Sequence, residues 1–555
     1  MNIGSRKLDL LGVFLFTLLV LLLAARITRG IDLSDEAYYA IFLDDWLKGS
    51  IRTSTLLTLH QTAALIVYPA TLLYSALKGS SDGLFLFLRV LFLAGAVASA
   101  AAWTLFLRRL GHRFLAWIGG LFVLAFIPFG LPAPSYNTIG QQALTLALAT
   151  FACAALTDRN SSARLWWILA SACAWALATV AYPSLVVPLG IICLLGLTDR
   201  SGIFPQPYLY VSITGIAVCV AWAIVVFSLS FTRLYESIVY LSAINDPGGL
   251  TRKWMFTLNL LRANALFSAL CVAAIIVGLV RERLDPLVTQ VALAAIIAGL
   301  FLAKPAFYAR SHDVVTLLAL AGLGILTGLR ANAGLAERVS AVVYGTSLAA
   351  ALITCLTATN AVFNFSIGAI PAAAIALVGR PSPESRSWFS VLPVCVATVA
   401  VLSTSLYFYY GEAPTKPKRM RIHLDHGFFA GLSVQPHDAT LLNLVQTHIV
   451  PMSDRDKSAA VIGRLPGIAL AMPSRLSMLS SFPLMPDVPQ KGLAMTHDFY
   501  TNPDNRPDLV LIYKDPFFEP VNPMQPHFEE WYVPVADIKT PLGHLAVYRR
   551  RSMGE

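Results

Sequence analysis

The sequence predicts an all-α, polytopic membrane protein with about thirteen transmembrane helices, followed by a C-terminal α/β domain. The 555 residues are 56% hydrophobic and only 13% charged, whereas soluble proteins carry about 25% charged residues. Apolar runs of about 20 residues, each long enough to cross roughly 30 Å of hydrocarbon, recur through the first three quarters of the chain. From Gly411 onward these runs stop, and prolines, histidines and charges become frequent.

The predicted spans are defined by apolar length, and they must be helical because an open sheet would expose unpaired backbone groups to lipid. They are residues 8–27, 83–107, 114–132, 138–157, 165–182, 184–198, 207–229, 256–280, 286–303, 313–329, 339–359, 361–379 and 388–410. The division of 165–198 depends on Tyr182-Pro183, where a proline can break or kink a helix. The stretch 54–78 is interrupted by polar residues and Pro69, so we predict two interfacial helices there rather than a span.

Basic residues set the predicted orientation. Arg6 and Lys7 share one side with most of the basic loops between spans, and the positive-inside rule makes that side cytoplasmic. We therefore predict a multi-pass protein of the bacterial inner (plasma) membrane. The transmembrane module is 1–410, and its first loop (28–80) lies on the periplasmic side with the domain 411–555. The basic residues in these loops account for the formal charge of +10, so the charge does not indicate nucleic-acid binding.

The domain 411–555 is predicted to be small and extracytoplasmic. Residues 509–513 and 545–548 have strand-like composition and lie between Pro, Gly and Asp turns. Several histidines are present, but none has the spacing of a metal site that the sequence alone would support.

An acidic motif, Asp32-Leu-Ser-Asp35-Glu36-Ala-Tyr38-Tyr39, follows the first span. Ser34 can cap a helix whose first turn holds Asp35 and Glu36, and capping alone would account for both acids because carboxylates suit the helix dipole there. Acidic residues beside a bilayer are costly, however, and mark functional sites. A base at this position could take a proton from an acceptor hydroxyl while a lipid-borne donor approaches from the bilayer.

The segment after the motif has an amphipathic pattern. The predicted helix carries Ala37, Tyr38, Ile41, Phe42 and Trp46 on an amphipathic face, which suits the membrane surface. Asp44 and Asp45 are predicted to be a solvated helix end.

The first span and the motif after it resemble the GT-C glycosyltransferases, in particular the protein O-mannosyltransferases and the lipid A aminoarabinose transferases. A second similarity is His60 followed by Tyr68-Pro69 and Tyr74, which resembles the His-Pro-Pro-Leu-Tyr region of those families. Gln61 and Thr62 replace its prolines. The run from Asp82 to Arg89 at the start of the second long span is also similar.

The resemblance implies a reaction and its participants. The donor would be a polyprenyl-phosphate sugar, and the acceptor would be a hydroxyl of a lipid, glycan or protein. Asp35 would be the general base of a displacement that inverts the anomeric carbon, with Glu36 as a second catalytic carboxylate. Tyr38, Tyr39 and His60 would contact substrate.

The next loop on the same side departs from the family. Many members carry a second acid there, whereas this chain has Pro134-Ser-Tyr136-Asn137. Asn137 can orient a hydroxyl but cannot be a base, which puts a two-carboxylate metal site in doubt. The sequence leaves a divalent metal ion open and makes no cofactor certain. Tyr136 and Asn137 are candidates for lining the substrate, the alternative being a turn between helices.

A basic loop supplies the predicted phosphate site. It contains Lys304, Tyr308, Arg310 and His312. Cations at an outer membrane face can hold a phosphate and stabilise its departure. The alternative is interfacial snorkelling together with an Arg–Asp pair.

Two other functions stay open. An O-antigen ligase or polymerase would use Arg310 and His312, but it would leave Asp35-Glu36 unexplained. A transporter or flippase of lipid-linked glycans would show internal repeats and broken spans in corresponding positions. The sequence contains no P-loop, no zinc-protease motif and no dinucleotide fingerprint, so the donor is expected to arrive already activated.

Overall fold

The computed structural model describes residues 3–57, 61–112, 114–199, 202–244, 249–281, 283–303, 310–330, 332–358, 361–378, 392–407, 420–454, 457–481, 489–516, 519–525 and 527–552. Up to residue 407 the regular structure is helical. The helices are α1 (Ile3–Ile27), α2 (Asp35–Lys48), α3 (Gln61–Lys78), α4 (Leu84–Arg109), α5 (Phe114–Ala125), α6 (Tyr136–Ala155), α7 (Ala163–Ala181), α8 (Val186–Leu197), α9 (Pro207–Leu229), α10 (Phe231–Ile244), α11 (Gly249–Ala263), α12 (Ala265–Val280), α13 (Pro286–Leu300), α14 (Arg310–Ala321), α15 (Leu335–Thr357), α16 (Phe365–Val378) and α17 (Leu392–Tyr407).

Seven helical elements of the described chain are long and apolar enough to cross a membrane: α1, α4, α6, α7, α9, α15 and α16 with the turn before it. Two bent pairs raise the number to nine, namely α11 with α12 and α14 with the 3-10 segment Leu323–Leu329. The other four predicted spans coincide with α5, α8, α13 and α17, which have 12 to 16 residues, short of the roughly 20 that a span needs. Among the described residues, length therefore supports seven to nine spans, so the predicted count of thirteen is supported only in part.

Two of the predicted boundaries have different outcomes. The stretch 165–198 does divide at Tyr182-Pro183, because Pro183 has no N–H to continue α7. The predicted span 256–280 contains a break, since α11 and α12 meet at an angle of 101°. Asn264 lies at the break, and its Nδ2 donates to the Leu260 carbonyl (2.8 Å), an example of an amide side chain competing with the helical backbone.

Among the described residues of 54–78 there is one helix, α3, where two were predicted. The polar residues that suggested an interruption are satisfied by neighbouring helices. Gln61 Nε2 donates to Ser237 Oγ (3.0 Å), and Thr62 Oγ1 donates to the Val180 carbonyl (2.7 Å).

The C-terminal region forms an α/β domain. Its strands are β1 (Ile422–His423), β2 (Ser433–Val434), β3 (Ser458–Ile462), β4 (Arg475–Leu476), β5 (Leu509–Lys514), β6 (Tyr532–Thr540) and β7 (Gly543–Arg550), and its helices are α18 (Pro436–Leu444), α19 (Gln490–Thr501) and α20 (Phe528–Trp531). The main sheet has the order β4-β3-β5-β7-β6. Strand β3 runs parallel to β4 and β5, and β7 runs antiparallel to β5 and β6. The two strands predicted from sequence lie in β5 and β7, which pair directly.

The segment between α1 and α3 lies between the membrane helices and the C-terminal domain. Ser433 exchanges backbone hydrogen bonds with Gly30 and Thr28 (2.8 Å each), and Gly467 N donates to the Leu33 carbonyl (2.8 Å). One apolar core contains residues of α2, α3, α4 and the domain. The placement of α2 on the membrane surface stays a prediction, and the domain covers the face of α2 that would otherwise have met water.

The prediction that Asp44 and Asp45 form a solvated helix end is wrong. Both residues are about 5% exposed. Asp44 pairs with Lys48 (2.5 Å), and Asp45 Oδ1 accepts a hydrogen bond from the Leu476 N–H (3.1 Å). Burial raises the pKa of Asp44 to about 6.

Candidate active site

The acidic motif builds the first turn of α2. The carboxylate of Asp32 caps the helix: Oδ1 accepts from the Ser34 N–H (2.9 Å) and hydroxyl, and Oδ2 accepts from the Glu36 N–H (3.2 Å). Ser34 makes no capping bond with its own side chain, so the predicted cap is replaced by a residue two positions earlier. The cap satisfies N–H groups that a helix start leaves without partners.

Glu36 is bound on both of its oxygens. Arg89 of α4 donates from Nε and Nη2 to the two carboxylate oxygens, each at 2.6 Å, and both side chains are buried. Arg89 Nη1 also donates to the Ile27 and Arg29 carbonyls (2.8 and 3.2 Å). The guanidinium of Arg89 thus joins α4 to α2 and to the C-terminal end of α1. Glu36, predicted as a second catalytic carboxylate, is placed where it holds the site in position.

Asp35 is half-buried and begins α2. Burial, and then the negative charge of Asp35, raise the pKa of Asp32 to about 7. The charge of Asp35 also contributes, after burial and the neighbouring tyrosines, to raising the pKa of Tyr39 well above its usual value. Asp35 therefore lies beside both Asp32 and Tyr39.

A row of tyrosines connects α2 to the helix bundle. The ring of Tyr136 lies 6.2 Å from that of Tyr39 and 5.0 Å from that of Tyr182. Tyr38 is buried and packs edge-on against Tyr39 and Phe42. The structure thus brings Tyr39 and Tyr136 together near Asp35, and it places Tyr38 in the core behind them.

Asn137 lies in a buried hydrogen-bond network. Its Oδ1 accepts from Asn364 Nδ2 (3.0 Å), which also donates to Tyr182 Oη (3.3 Å). Tyr182 Oη donates onward to the Thr354 carbonyl (3.2 Å). Both amides are nearly or fully buried, so the orientation of Asn137 is set by Asn364 rather than by solvent.

A narrow apolar crevice adjoins the motif. Its walls come from α2, α3, α4 and the turn before α6, and they include Tyr39, Leu43, Val67, Leu88 and Pro134. Glu36, neutralised by Arg89, also borders it. The crevice therefore offers an apolar surface directly beside the acidic turn.

His312 is buried in the bundle. Its Nε2 accepts from the Phe129 N–H (3.0 Å), so Nδ1 carries the proton and faces Ser366 Oγ (2.5 Å). The rings of Phe126 and Phe129 pack on it at 5.3 and 4.7 Å. Phe129 has a φ of +54°, a strained conformation for a bulky residue. His312 therefore stabilises a strained turn, with both ring nitrogens engaged.

Arg310 begins α14 and is half-buried. Its Nη1 donates to the Leu300 carbonyl (2.6 Å), and its guanidinium lies 5.6 Å from the centre of the Phe301 ring. These contacts join α14 to α13 and not to the acidic turn. Three other predicted substrate-binding residues, His60, Lys304 and Tyr308, lie outside the described residues.

Sequence reasoning assigned no role to Asp32, Arg89, Tyr182 or Asn364. Arg89 carried a usable signal, because an arginine inside a predicted span requires a buried acidic partner. Asn364 carried a weaker one, as an isolated amide in an apolar run. Neither signal identifies the residue that Arg89 or Asn364 binds, because that depends on how helices distant in the sequence pack.

The described residues do not make a divalent-cation site. Among them, no group of three His, Cys, Asp or Glu side chains is arranged to hold a metal ion. The oxygens of Glu36 are occupied by Arg89, and that of Asn137 by Asn364. The first of these contacts removes a carboxylate that a metal site at this turn would need.

Solved structures with a similar fold were found. ArnT from Cupriavidus metallidurans bound to undecaprenyl phosphate matches with a TM-score of 0.51 and 12% identity, over 98% of both chains. The chain has the GT-C fold. The apo state of the same ArnT matches at a TM-score of 0.46 and 14% identity, over 96% of this chain and 97% of ArnT.

An archaeal protein gives a further match. The Archaeoglobus fulgidus oligosaccharyltransferase tethered with an acceptor peptide matches at a TM-score of 0.48 and 12% identity, over 91% of this chain and 69% of that one. No family model and no curated protein matches the sequence. The resemblance stated from the acidic motif is thus confirmed at the level of the fold.

Proposed function

We propose that this protein is an integral membrane glycosyltransferase that moves a sugar from a polyprenyl-phosphate donor to a hydroxyl of an extracytoplasmic lipid, glycan or protein. One observation carries the proposal. On α2, Glu36 is bound on both oxygens by Arg89 and borders an apolar crevice, and Asp35, one residue earlier, is half-buried at the start of the helix. A carboxylate at such a boundary can meet a polar acceptor and a lipid-borne donor together.

The proposed reaction is a direct displacement. Asp35 takes the proton of the acceptor hydroxyl as its oxygen forms a bond to the anomeric carbon. The bond from that carbon to the phosphate oxygen breaks, and polyprenyl phosphate leaves with the electron pair. Attack opposite the leaving group inverts the anomeric configuration.

The donor class is supported by two features. The crevice lined by Tyr39, Leu43 and Leu88 has an apolar surface that suits a lipid-borne donor beside the acidic turn, although its volume of about 10 Å³ does not itself hold a prenyl chain. The ArnT structure at a TM-score of 0.51 is bound to undecaprenyl phosphate, and the proposal extends that ligand class to this chain.

The remaining predicted residues receive proposed roles. Tyr39, Tyr136 and Asn137 line the path between Asp35 and the bundle, where phenol and amide groups can orient sugar hydroxyls. Arg310 and Lys304 bind the departing phosphate. The acidic turn and the C-terminal domain, which pack on each other, lie on the periplasmic side of the inner membrane.

Mass spectrometry of cell-envelope glycans tests the function. Cells lacking the protein should lose one sugar from one acceptor, and a plasmid carrying the wild-type chain should restore it. The matched control is a plasmid carrying Asp35→Asn, which should not restore it at equal protein level. An unchanged glycan profile in the deletion strain would contradict the proposal.

A further inference from the structure

A second apolar groove lies between α3 and α4, away from the acidic turn. Its volume is about 370 Å³, and it is lined by Ala70, Leu73, Tyr74, Leu77, Lys78 and Phe87. Small-molecule sites have volumes of roughly 300–1,000 Å³. Leu73 and Leu77 are 60% and 80% exposed, so this face of α3 has an exposed apolar surface beside the groove.

The groove has one apolar end and one cationic end. Tyr74 stacks on Phe87 with ring centres 4.5 Å apart and forms the base of the groove. The Lys78 ammonium donates to the Tyr74 hydroxyl (3.1 Å) and to the Asp82 carbonyl (2.7 Å). An ammonium has three donors, so these two contacts position it and leave one N–H for a further acceptor.

The cationic end is held by three parts of the chain. Gly83, between α3 and α4, has a φ of +72°, and a Cβ there would lie 3.1 Å from the Tyr74 hydroxyl and 3.3 Å from the Ala430 carbonyl of the C-terminal domain. Gly83 N also donates to the Gly427 carbonyl (3.0 Å). Lys78 is thus presented at a fixed position where α3, α4 and the domain meet.

We infer that this groove binds an anionic glycerophospholipid, with one acyl chain along α3 and the phosphate at Lys78. The charge of Lys78 favours an anionic headgroup, and a cation near a membrane surface strengthens such binding by about fivefold. Leu73 and Leu77 would contact the acyl chain while Lys78 contacts the phosphate of the headgroup.

The sugar donor does not fit this groove as well. Val67 of α3 borders the crevice next to the acidic turn, and Lys78 lies eleven residues further along the helix, roughly 16 Å at 1.5 Å per residue. A phosphate at Lys78 would be too far from Asp35 for its sugar to react. This exclusion rests on the role proposed for Asp35, so the experiment includes a polyprenyl phosphate as a competitor.

Native mass spectrometry of the delipidated full-length protein in detergent tests the inference. Phosphatidylglycerol should bind about fivefold more tightly than phosphatidylcholine, and Lys78→Ala and Lys78→Gln should remove that preference. Ala70→Trp, which fills the groove without changing its charge, should weaken both lipids. Lys491→Ala, an exposed lysine on α19, is the matched control and should change neither.

Three results would overturn the inference. The first is equal binding of the two phospholipids by the wild type. The second is a preference that survives both Lys78 substitutions. The third is displacement of phosphatidylglycerol from the wild type by undecaprenyl phosphate at equal concentration, which would assign the groove to the donor. None of these measurements requires glycosyl transfer, so they stand apart from the proposed function.

Discussion

Glu36 and Arg89 form a buried ion pair in which both carboxylate oxygens accept hydrogen bonds of 2.6 Å from the guanidinium. Adjacent residues on a helix point about 100° apart, so Glu36 faces α4 while Asp35 does not. Glu36 therefore joins three segments of the chain, whereas a catalytic role is proposed for Asp35.

Removing one partner of this pair should destabilise the fold. Glu36→Gln is expected to lower the free energy of unfolding by about 3–5 kcal/mol, because Arg89 would keep a buried charge without its partner. Thermal unfolding of the purified protein in detergent measures this effect. Asp35→Asn is the control, with an expected change within about 0.5 kcal/mol, and equal small changes in both variants would show that the pair is not structural.

Asp32 should make stability depend on pH. Burial, followed by the charge of Asp35, raises its pKa from 3.8 to about 7 in the folded protein. The folded state therefore holds a proton that the unfolded state releases, so stability falls as pH rises between about 4 and 7. Asp32→Asn keeps capping capacity and removes the titration. The stability of this variant relative to wild type should increase across that window, and a difference independent of pH would contradict the assignment.

The contact between the C-terminal domain and α2 can be tested at Gly467. A Cβ there would lie 2.7 Å from Ala37 Cβ and 2.9 Å from Leu33 Cα. Gly467→Ala should therefore cost about 1–3 kcal/mol through overpacking. Gly334→Ala, where a Cβ meets open space, is the control and should be nearly neutral. Thermal unfolding that does not distinguish the two variants would refute this packing.

Arg310 provides a test of the phosphate site. Its guanidinium can form a two-pronged bond to phosphate, which a lysine ammonium cannot reproduce. Arg310→Lys should therefore raise the KM for a polyprenyl-phosphate sugar, and Arg310→Ala should raise it further. Donor affinity and turnover at wild-type levels in Arg310→Ala would exclude this residue from phosphate binding.

The long helices were predictable because a membrane span depends on local composition. The predicted spans 8–27 and 83–107 differ from α1 and α4 by a few residues at their ends, and 207–229 agrees with α9 at both ends. The acidic motif was recognisable for a related reason, since charged residues directly after an apolar run are rare.

The surroundings of the motif were not predictable, because they depend on residues distant in the chain. The pattern of α2 indicates an amphipathic surface helix, yet the domain 400 residues later covers its polar face and buries Asp44 and Asp45. Likewise, periodicity cannot reveal that Arg89 reaches Glu36 across 53 positions. From the sequence, His312 was predicted to bind substrate as part of the basic loop. Only the packing shows that both of its ring nitrogens are engaged inside the bundle.

Turnover of Asp35→Asn tests the central claim most directly. The variant keeps the size of the side chain and the helix start, and it removes the base, so turnover with a polyprenyl-phosphate sugar should fall by about 10²–10⁴-fold. Glu36→Gln, compared per folded molecule, should lose less, because Glu36 acts through Arg89. Turnover of each purified variant, divided by its folded fraction, gives the comparison, and near-normal turnover of Asp35→Asn would remove Asp35 from catalysis.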